Sequence, residues 1–409
     1  MLLPLRAPAT MSAAGSPEPT VPRWAVLCLT WANSLGSGVL WSGVPFVTER
    51  EYGFTERENL LLALAESVIY LVVALASGPV LRRMGTRFGV TPRAWMAAVL
   101  CVQGLSSLLV LAGPAGTVAA ACILSAVGAA LWPVVESYVS SGRHGGEMRR
   151  SIAVFNVTWM SATAGSLLLM APLVAVGHAS WSLLAMLPVS ACSLVLLRWF
   201  PAAPATHADE HAHAHIAPQY PYLLRATRFV VPTSYVLISV LGPVLPFIMR
   251  DLAMDDAWKT PLASVWMVAR VLTVVVLGTL HFWHGRWATL AAALLLLGGG
   301  FAAVAFAPGI PMLLVGLAAF GAGHGVVYFA GLYYAMAVGG AEVDAGGRFE
   351  ALIGAGYVVG PLAGLVAGAT AGGLVGATLG AAAIGLVPAV FPYLAWRRKA
   401  AEAAAAAAR

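Results

Sequence analysis

The chain has 409 residues, of which 60% are hydrophobic and only 10% are charged. Soluble domains carry roughly 25% charged residues, so this composition indicates a membrane protein and argues against a soluble domain. The formal net charge of +6 does not indicate nucleic-acid binding, because the basic residues follow a membrane topology.

Twelve apolar runs account for the composition. Each run has about twenty residues, enough to span a hydrocarbon core of about 30 Å. They predict an all-α membrane protein with twelve transmembrane helices. The runs lie at residues 24–47, 59–81, 94–113, 115–139, 152–176, 180–200, 226–249, 260–283, 288–307, 311–337, 350–369 and 374–396.

Basic residues are distributed unevenly between the runs. With the N-terminus inside the cell, eighteen lysines and arginines lie inside, and Arg50, Arg57, Arg250 and Lys259 lie outside. Cytoplasmic loops of membrane proteins are enriched in basic residues. We therefore predict a multi-pass protein of the cell (plasma) membrane with both termini in the cytoplasm.

The segments outside the runs complete the predicted domain plan. Residues 1–23 lack the apolar core of a signal peptide and are expected to form a disordered cytoplasmic tail. Two six-helix halves at 24–200 and 226–396 are joined by a cytoplasmic linker at 201–225. Residues 397–409 form a cytoplasmic tail.

The linker is rich in histidine. Neutral imidazole is a good ligand for Zn²⁺ or Ni²⁺, which makes His207, His211, His213 and His215 weak candidates for a metal site. The composition is also typical of a solvated, disordered linker. We favour the solvated linker, because alternating histidine and alanine has no fixed geometry until a metal imposes one.

Two short motifs recur about two hundred residues apart. Residues 78–87 read GPVLRRMGTR and residues 278–287 read GTLHFWHGRW, with glycines at the same spacing and a basic residue after the second glycine. Residues 40–46, LWSGVPF, return at 241–247 as LGPVLPF. Two correspondences at nearly one offset indicate a duplicated unit that spans half the chain.

The first motif resembles the loop between the second and third helices of the major facilitator superfamily, Gly-x-x-x-Asp-Arg-x-Gly-Arg-Arg. Gly78, Arg83 and Gly85 match it, Arg87 takes a later basic position, and Arg82 stands where the family has an acid. The resemblance implies a secondary transporter with two pseudo-symmetric six-helix halves. It does not imply a substrate.

The resemblance also implies a cytoplasmic gate made by Gly78, Arg82, Arg83, Gly85, Glu136 and Glu350. In the family, the loop arginine often meets an acid near the end of the fourth helix, where Glu136 lies. The family's loop acid normally faces the start of the eleventh helix, where Glu350 lies. We expect Arg82 to meet Glu350 there, with the two charges exchanged relative to the family.

Charged residues inside a bilayer are costly and usually functional. Glu66 lies within the second run and Arg270 within the eighth. A carboxylate in apolar surroundings can bind a proton, so Glu66 is the first candidate for proton coupling and His324 is the second. Arginine cannot carry a proton, but its fork can hold a carboxylate or phosphate. A structural ion pair is the alternative for both charged residues, and a hydrogen-bonded core histidine is the alternative for His324.

Polar and aromatic residues on the helices that line the family's central cavity complete the candidate site. Aromatic rings with scattered hydroxyls and amides suit a moderately polar organic molecule. The substrate-binding candidates are Arg270, Asn33, Ser37, Trp41, Asn156, Trp159, Tyr235, Tyr328 and Tyr357.

The sequence thus predicts secondary active transport of a small organic solute by rocking of two halves around a midplane site, with protons as the coupling ion. Short outer loops and the lack of a phosphate-binding loop argue against an enzyme or an ATP-driven pump. We expect a monomer that needs the lipid bilayer, a small-molecule substrate and protons, without cofactor or nucleic acid. A transition-metal exporter that uses the histidine-rich linker is one alternative, and a non-transporting receptor or scaffold is another.

Overall fold

The computed structural model describes residues 20–141, 145–205, 217–280, 282–339, 343–367 and 371–407. These residues form twelve helical rods. The rods are α1 (Arg23–Gly38, the π-helical turn Val39–Gly43 and Val44–Tyr52), α2 (Glu56–Phe88), α3 (Pro92–Ser107 and Leu108–Ala112), α4 (Pro114–Ser140), α5 (Gly145–Ala175), α6 (Trp181–Leu184, Met186–Leu196 and Leu197–Trp199), α7 (Tyr220–Asp251), α8 (Asp256–Ala263 and Val265–Thr279), α9 (Trp287–Ala305), α10 (Ile310–Gly339), α11 (Val343–Ala367) and α12 (Ala371–Ala407).

The rods confirm the predicted all-α membrane architecture. Among the described helices, eleven are long and apolar enough to cross a membrane. The remaining rod is α1, which the π-helical turn divides into shorter pieces. We call the side of the bundle that carries the α6–α7 connection the linker side. The opposite side, with the α1–α2 and α7–α8 connections, is the far side.

The predicted loop at 78–87 is helical, which corrects the sequence interpretation. Helix α2 starts at a capping box between Thr55 and Glu58 and continues to Phe88. The chain turns only at Gly89, which has a φ of 67°. Leucine, arginine and methionine are good helix formers, so the segment after Pro79 continues the helix. In the second copy, α8 ends at Thr279 and the chain turns through Gly285, so the two copies differ locally.

Several helix ends extend beyond the apolar runs. Helix α7 begins at Tyr220, α11 begins at Val343, and α12 continues to Ala407. An apolar run marks the part of a helix that lies in the membrane, whereas helix propensity sets its end, and alanine has the highest propensity. We retain 24–200 and 226–396 as the proposed limits of the two halves.

Glycines allow α7 and α11 to pack closely. A Cβ atom added at Gly356 would lie 2.7 Å from Cβ of Tyr235, and one at Gly360 would lie 2.5 Å from the carbonyl oxygen of Val236. Neither position has room for a side chain. This packing fixes the orientation of the α7 and α11 faces that carry Tyr235 and Tyr357.

The repeated segments at 40–46 and 241–247 contact each other between the halves. A Cβ atom added at Gly242 would lie 3.2 Å from the carbonyl oxygen of Trp41. Close approach at this point joins α1 and α7 toward the far side.

A cluster of five charged residues joins the halves at the far side. Lys259 Nζ lies 2.8 Å from Asp256 Oδ1 and 3.6 Å from Glu49 Oε2. Arg50 Nε lies 2.9 Å from Asp256 Oδ2, and Arg250 Nη1 lies 3.9 Å from Glu49 Oε1. The side chains of Lys259 and Glu49 are only 6% and 8% exposed. This cluster connects the end of α1 to the α7–α8 connection.

The cluster predicts a stability difference. Lys259→Ala leaves the buried carboxylate of Glu49 with only the longer contact to Arg250, so we expect a loss of about 3 kcal/mol. The measurement is thermal unfolding of the purified protein in detergent, monitored by tryptophan fluorescence. The double variant Glu49→Gln with Lys259→Met should lose less, because it buries no unpaired charge.

Arg398→Ala is the matched control. Its exposed pair with Glu402 is expected to contribute less than about 0.5 kcal/mol. Equal melting temperatures for Lys259→Ala and Arg398→Ala would show that the far-side cluster does not stabilise the fold.

Candidate functional site

A cavity of about 150 Å³, measured as the space open to the centre of a water molecule, lies between the two halves. Its walls come from α1, α2, α4 and α5 of the first half and from α7, α8, α10 and α11 of the second. The predicted site residues that line it are Ser37, Trp41, Glu66, Glu136, Trp159, Tyr235, Arg270, Tyr328, Glu350 and Tyr357.

Glu66 reaches the cavity from α2 and is 3% exposed. Its Oε1 atom has no hydrogen-bond partner among the described residues. The backbone carbonyl of Glu66 accepts a hydrogen bond of 2.7 Å from Ser125 Oγ on α4, which fixes this part of α2. A buried acid without a cation beside it can exchange a proton with water or solute in the cavity.

Arg270 reaches the cavity from α8 and is 5% exposed. Its guanidinium carbon lies 4.7 Å from the ring centre of Trp159 and 4.9 Å from that of Tyr328. The Tyr235 hydroxyl is within hydrogen-bonding reach. Nε and Nη2 have no partner in the described part of the chain, so two of its donors lack an acceptor.

Asn156 holds the two rings that contact Arg270, although it does not line the cavity. Trp159 Nε1 donates to Asn156 Oδ1 over 2.8 Å, and the Tyr328 hydroxyl donates to the same oxygen over 3.2 Å. Trp159 and Asn156 lie on α5 and Tyr328 lies on α10, so this cluster crosses between the halves. Asn156 therefore has a positioning role.

A second aromatic group crosses between the halves near α1 and α11. The rings of Trp41 and Tyr357 stack with centroids 4.5 Å apart and an interplanar angle of 14°. Tyr70 contacts Tyr357 edge-on at 6.3 Å, and Tyr235 contacts it at 5.1 Å. These rings form the wall between Arg270 and the linker-side acids.

The two acids expected in the gate, Glu136 and Glu350, line the cavity. The Tyr70 hydroxyl donates to Glu350 Oε2 over 3.2 Å, and Glu136 is close enough to Glu350 to interact electrostatically. Arg82 and Arg83 are exposed, and the described ion pairs include neither. The predicted gate is thus not formed in this structure, and it stays a prediction for a state closed at the linker side.

Gly78 and Gly85 belong to the helical end of α2 and do not line the cavity. Glu350 also differs from expectation, because α11 begins at Val343 and places this acid about two turns inside the helix. It is therefore too far from the helix N-terminus to interact with the end of the helix dipole.

Asn33 does not line this cavity, but it lines a smaller adjoining pocket together with Ser37 and Trp41. Its amide nitrogen donates to Ser193 Oγ over 2.9 Å, and its oxygen accepts from Gln103 Nε2 over 2.9 Å. The amide therefore joins α1, α3 and α6 within the first half. Periodicity could place Asn33 on α1, but it could not distinguish the cavity face from the face toward α3.

His324 is fully buried behind the cavity wall and contacts the rings of Tyr235 and Trp266. Neither ring nitrogen has a partner among the described residues. Gly323 and Gly325, the neighbours of His324 in the chain, pack tightly against other helices. Added Cβ atoms would lie 2.7 Å from the carbonyl oxygen of Ala293 and 2.9 Å from that of Arg270.

Tyr70 and Trp266 line the cavity but were not predicted as site residues. A signal for Tyr70 existed, since the two-hundred-residue repeat aligns it with Arg270. The same offset aligns Trp266 with Glu66, so a comparable signal existed for Trp266.

The metal candidates His207, His211, His213 and His215 lie outside the described residues. Within the described ranges, no group of three or more His, Cys, Asp or Glu residues is arranged to hold a metal ion.

No protein-family model and no curated protein matches the sequence. Solved structures do match. The nucleoside transporter NupG is 11% identical with a TM-score of 0.65, over 91% of this chain and 98% of that chain. A structure described for substrate recognition in proton dependent oligopeptide transporters is 12% identical with a TM-score of 0.67, over 91% and 97%. The human organic anion transporter MFSD10 is 14% identical with a TM-score of 0.64, over 90% and 98%. All are transporters of one fold, and this chain therefore has the fold of the major facilitator superfamily.

Proposed function

We propose that this protein is a secondary active transporter of a small organic solute, driven by protons and working by alternating access. The main support is the cavity between the halves, whose walls carry Glu66 from one half and Arg270 from the other. Binding sites of secondary transporters lie near the bilayer midplane at the interface of structural repeats.

The far-side cluster supports alternating access. It joins α1 to α7 and α8, so this structure is held closed at that side. Opening the far side requires the contacts of Lys259 and Arg50 to break. The proposed gate of Arg82 with Glu350 and Arg83 with Glu136 would form on the linker side in the same transition. We place the linker and both termini in the cytoplasm, and the protein in the plasma membrane.

The structural neighbours support transport without indicating one solute. Their descriptions name nucleosides, oligopeptides with proton dependence, and organic anions. These solutes are all small organic molecules, and they differ widely in charge. The substrate must therefore be inferred from the residues of this cavity.

Glu66 is the proposed proton carrier. An acid in apolar surroundings can become neutral by binding a proton, whereas arginine must find a negative partner. Glu66 is buried, lines the cavity and has an unpartnered oxygen among the described residues. Proton release from Glu66 and solute capture at Arg270 can then alternate in one cavity.

Glu66→Gln is expected to abolish accumulation against a gradient while downhill exchange persists, because glutamine cannot release a proton. A substrate is first found by a thermal-shift screen of organic solutes on the purified protein. Uptake into proteoliposomes is then measured with and without an imposed pH gradient, and counterflow is measured without one. Glu402→Gln, an exposed acid on the α12 extension, is the matched control.

Accumulation by Glu66→Gln with an unaltered pH dependence would contradict this assignment. In that case His324→Gln becomes the next variant to test, since His324 is the second titratable candidate.

The linker prediction separates this function from metal export. Deleting residues 207–215, or changing their histidines to serine, should leave uptake of the organic solute nearly unchanged, because the tract has the composition of a disordered linker. The same proteoliposome assay measures uptake by these variants. Loss of uptake that added Zn²⁺ then restores would favour the metal exporter instead.

A further inference from the structure

Arg270 and Glu350, like Glu66, line the cavity without a counter-ion among the described residues. Arg270 has two donor nitrogens with no partner, and the described part of the chain gives it no ion pair. Glu350 accepts one hydrogen bond from Tyr70 and likewise has no described cation within ion-pair distance. Unlike the charges of the far-side cluster, Arg270 and Glu350 are not neutralised by any residue that the structure describes.

A row of three tyrosines separates the two charges. Arg270 is within hydrogen-bonding reach of Tyr235. Tyr235 contacts Tyr357 at 5.1 Å, and Tyr357 contacts Tyr70 at 6.3 Å between ring centroids. The Tyr70 hydroxyl then donates to Glu350. A positive pole and a negative pole thus lie at the two ends of one aromatic wall.

We propose that the cavity binds a zwitterionic solute, with its carboxylate at Arg270, its ammonium group at Glu350 and an apolar spacer against the tyrosine row. This inference rests on the proposed function and names its substrate class. The guanidinium fork matches a carboxylate. Tyr70 orients the Glu350 carboxylate, and the carboxyl group of Glu136 interacts electrostatically with that of Glu350 at the same end.

A solute with one charge fits the cavity less well. An organic anion neutralises Arg270 but faces Glu66, Glu136 and Glu350, while an organic cation leaves Arg270 unpaired. A buried charge without a partner opposes binding. A zwitterion neutralises both poles, and the length of its spacer must match the distance between them.

The test measures binding to the full-length protein in detergent, by thermal shift and by calorimetry. The probes are the zwitterions β-alanine, γ-aminobutyrate, δ-aminovalerate and ε-aminocaproate, with caproate and hexylamine as singly charged analogues. At least one zwitterion should bind about tenfold or more tighter than either analogue, because each additional paired charge contributes to affinity. Affinity should also change with spacer length.

Variants test which residue binds each charged group of the solute. Arg270→Ala should reduce the best zwitterion to the affinity of hexylamine, and Glu350→Gln should reduce it to the affinity of caproate. Arg270→Lys should restore binding only in part, because the fork is lost. The controls are Arg398→Gln and Glu402→Gln, which change an exposed arginine and an exposed glutamate far from the cavity. Both controls should bind like the wild type.

The inference is overturned if caproate or hexylamine binds as tightly as every zwitterion, or if no zwitterion in the series binds. Transport of caproate or hexylamine in proteoliposomes would then leave the proposed function intact. If a zwitterion binds with the expected variant pattern but is not moved across the membrane, the inference holds and the proposed transport function fails.

Discussion

A charged group in the interior of a membrane protein is stable only when an opposite charge, a dipole or a bound proton compensates it. The far-side cluster meets this requirement within the protein, because Lys259 contacts both Glu49 and Asp256. The described residues of the cavity do not meet this requirement. Arg270 is compensated by the faces of two aromatic rings, and Glu350 by one hydroxyl. The cavity is thus the part of the molecule whose charges require an ion or a solute.

The packing within a half differs from the packing at the cavity. Within the second half, glycines bring helix backbones into direct contact, as Gly356 and Gly360 do between α11 and α7. Across the cavity, ring pairs such as Trp41 with Tyr357 meet instead. An aromatic pair contributes about 1 kcal/mol beyond its buried area. The halves can exchange such contacts while each half keeps its own backbone packing.

Hydropathy predicted the number of helices because a bilayer of fixed thickness requires apolar runs of fixed length. It could not predict helix ends outside the bilayer, and α2 continues through a motif interpreted as a loop. All five aromatic candidates line the cavity, since the resemblance indicated which helices surround it. Asn33 lies beside the cavity, because a polar residue inside a bilayer can equally bond to another helix of its own half.

The aligned positions of the repeat explain how the cavity acquires two poles. Tyr70 on α2 and Arg270 on α8 occupy equivalent positions in the two halves. Each crosses to the fifth helix of the other half: Tyr70 bonds to Glu350 on α11, and Arg270 lies over Trp159 on α5. The helix pairing is therefore repeated, while the chemistry at the aligned position is not. One side of the cavity has a neutral donor that holds an acid, and the other has a guanidinium held between rings. With this divergence, a duplicated scaffold presents opposite charges to the same solute.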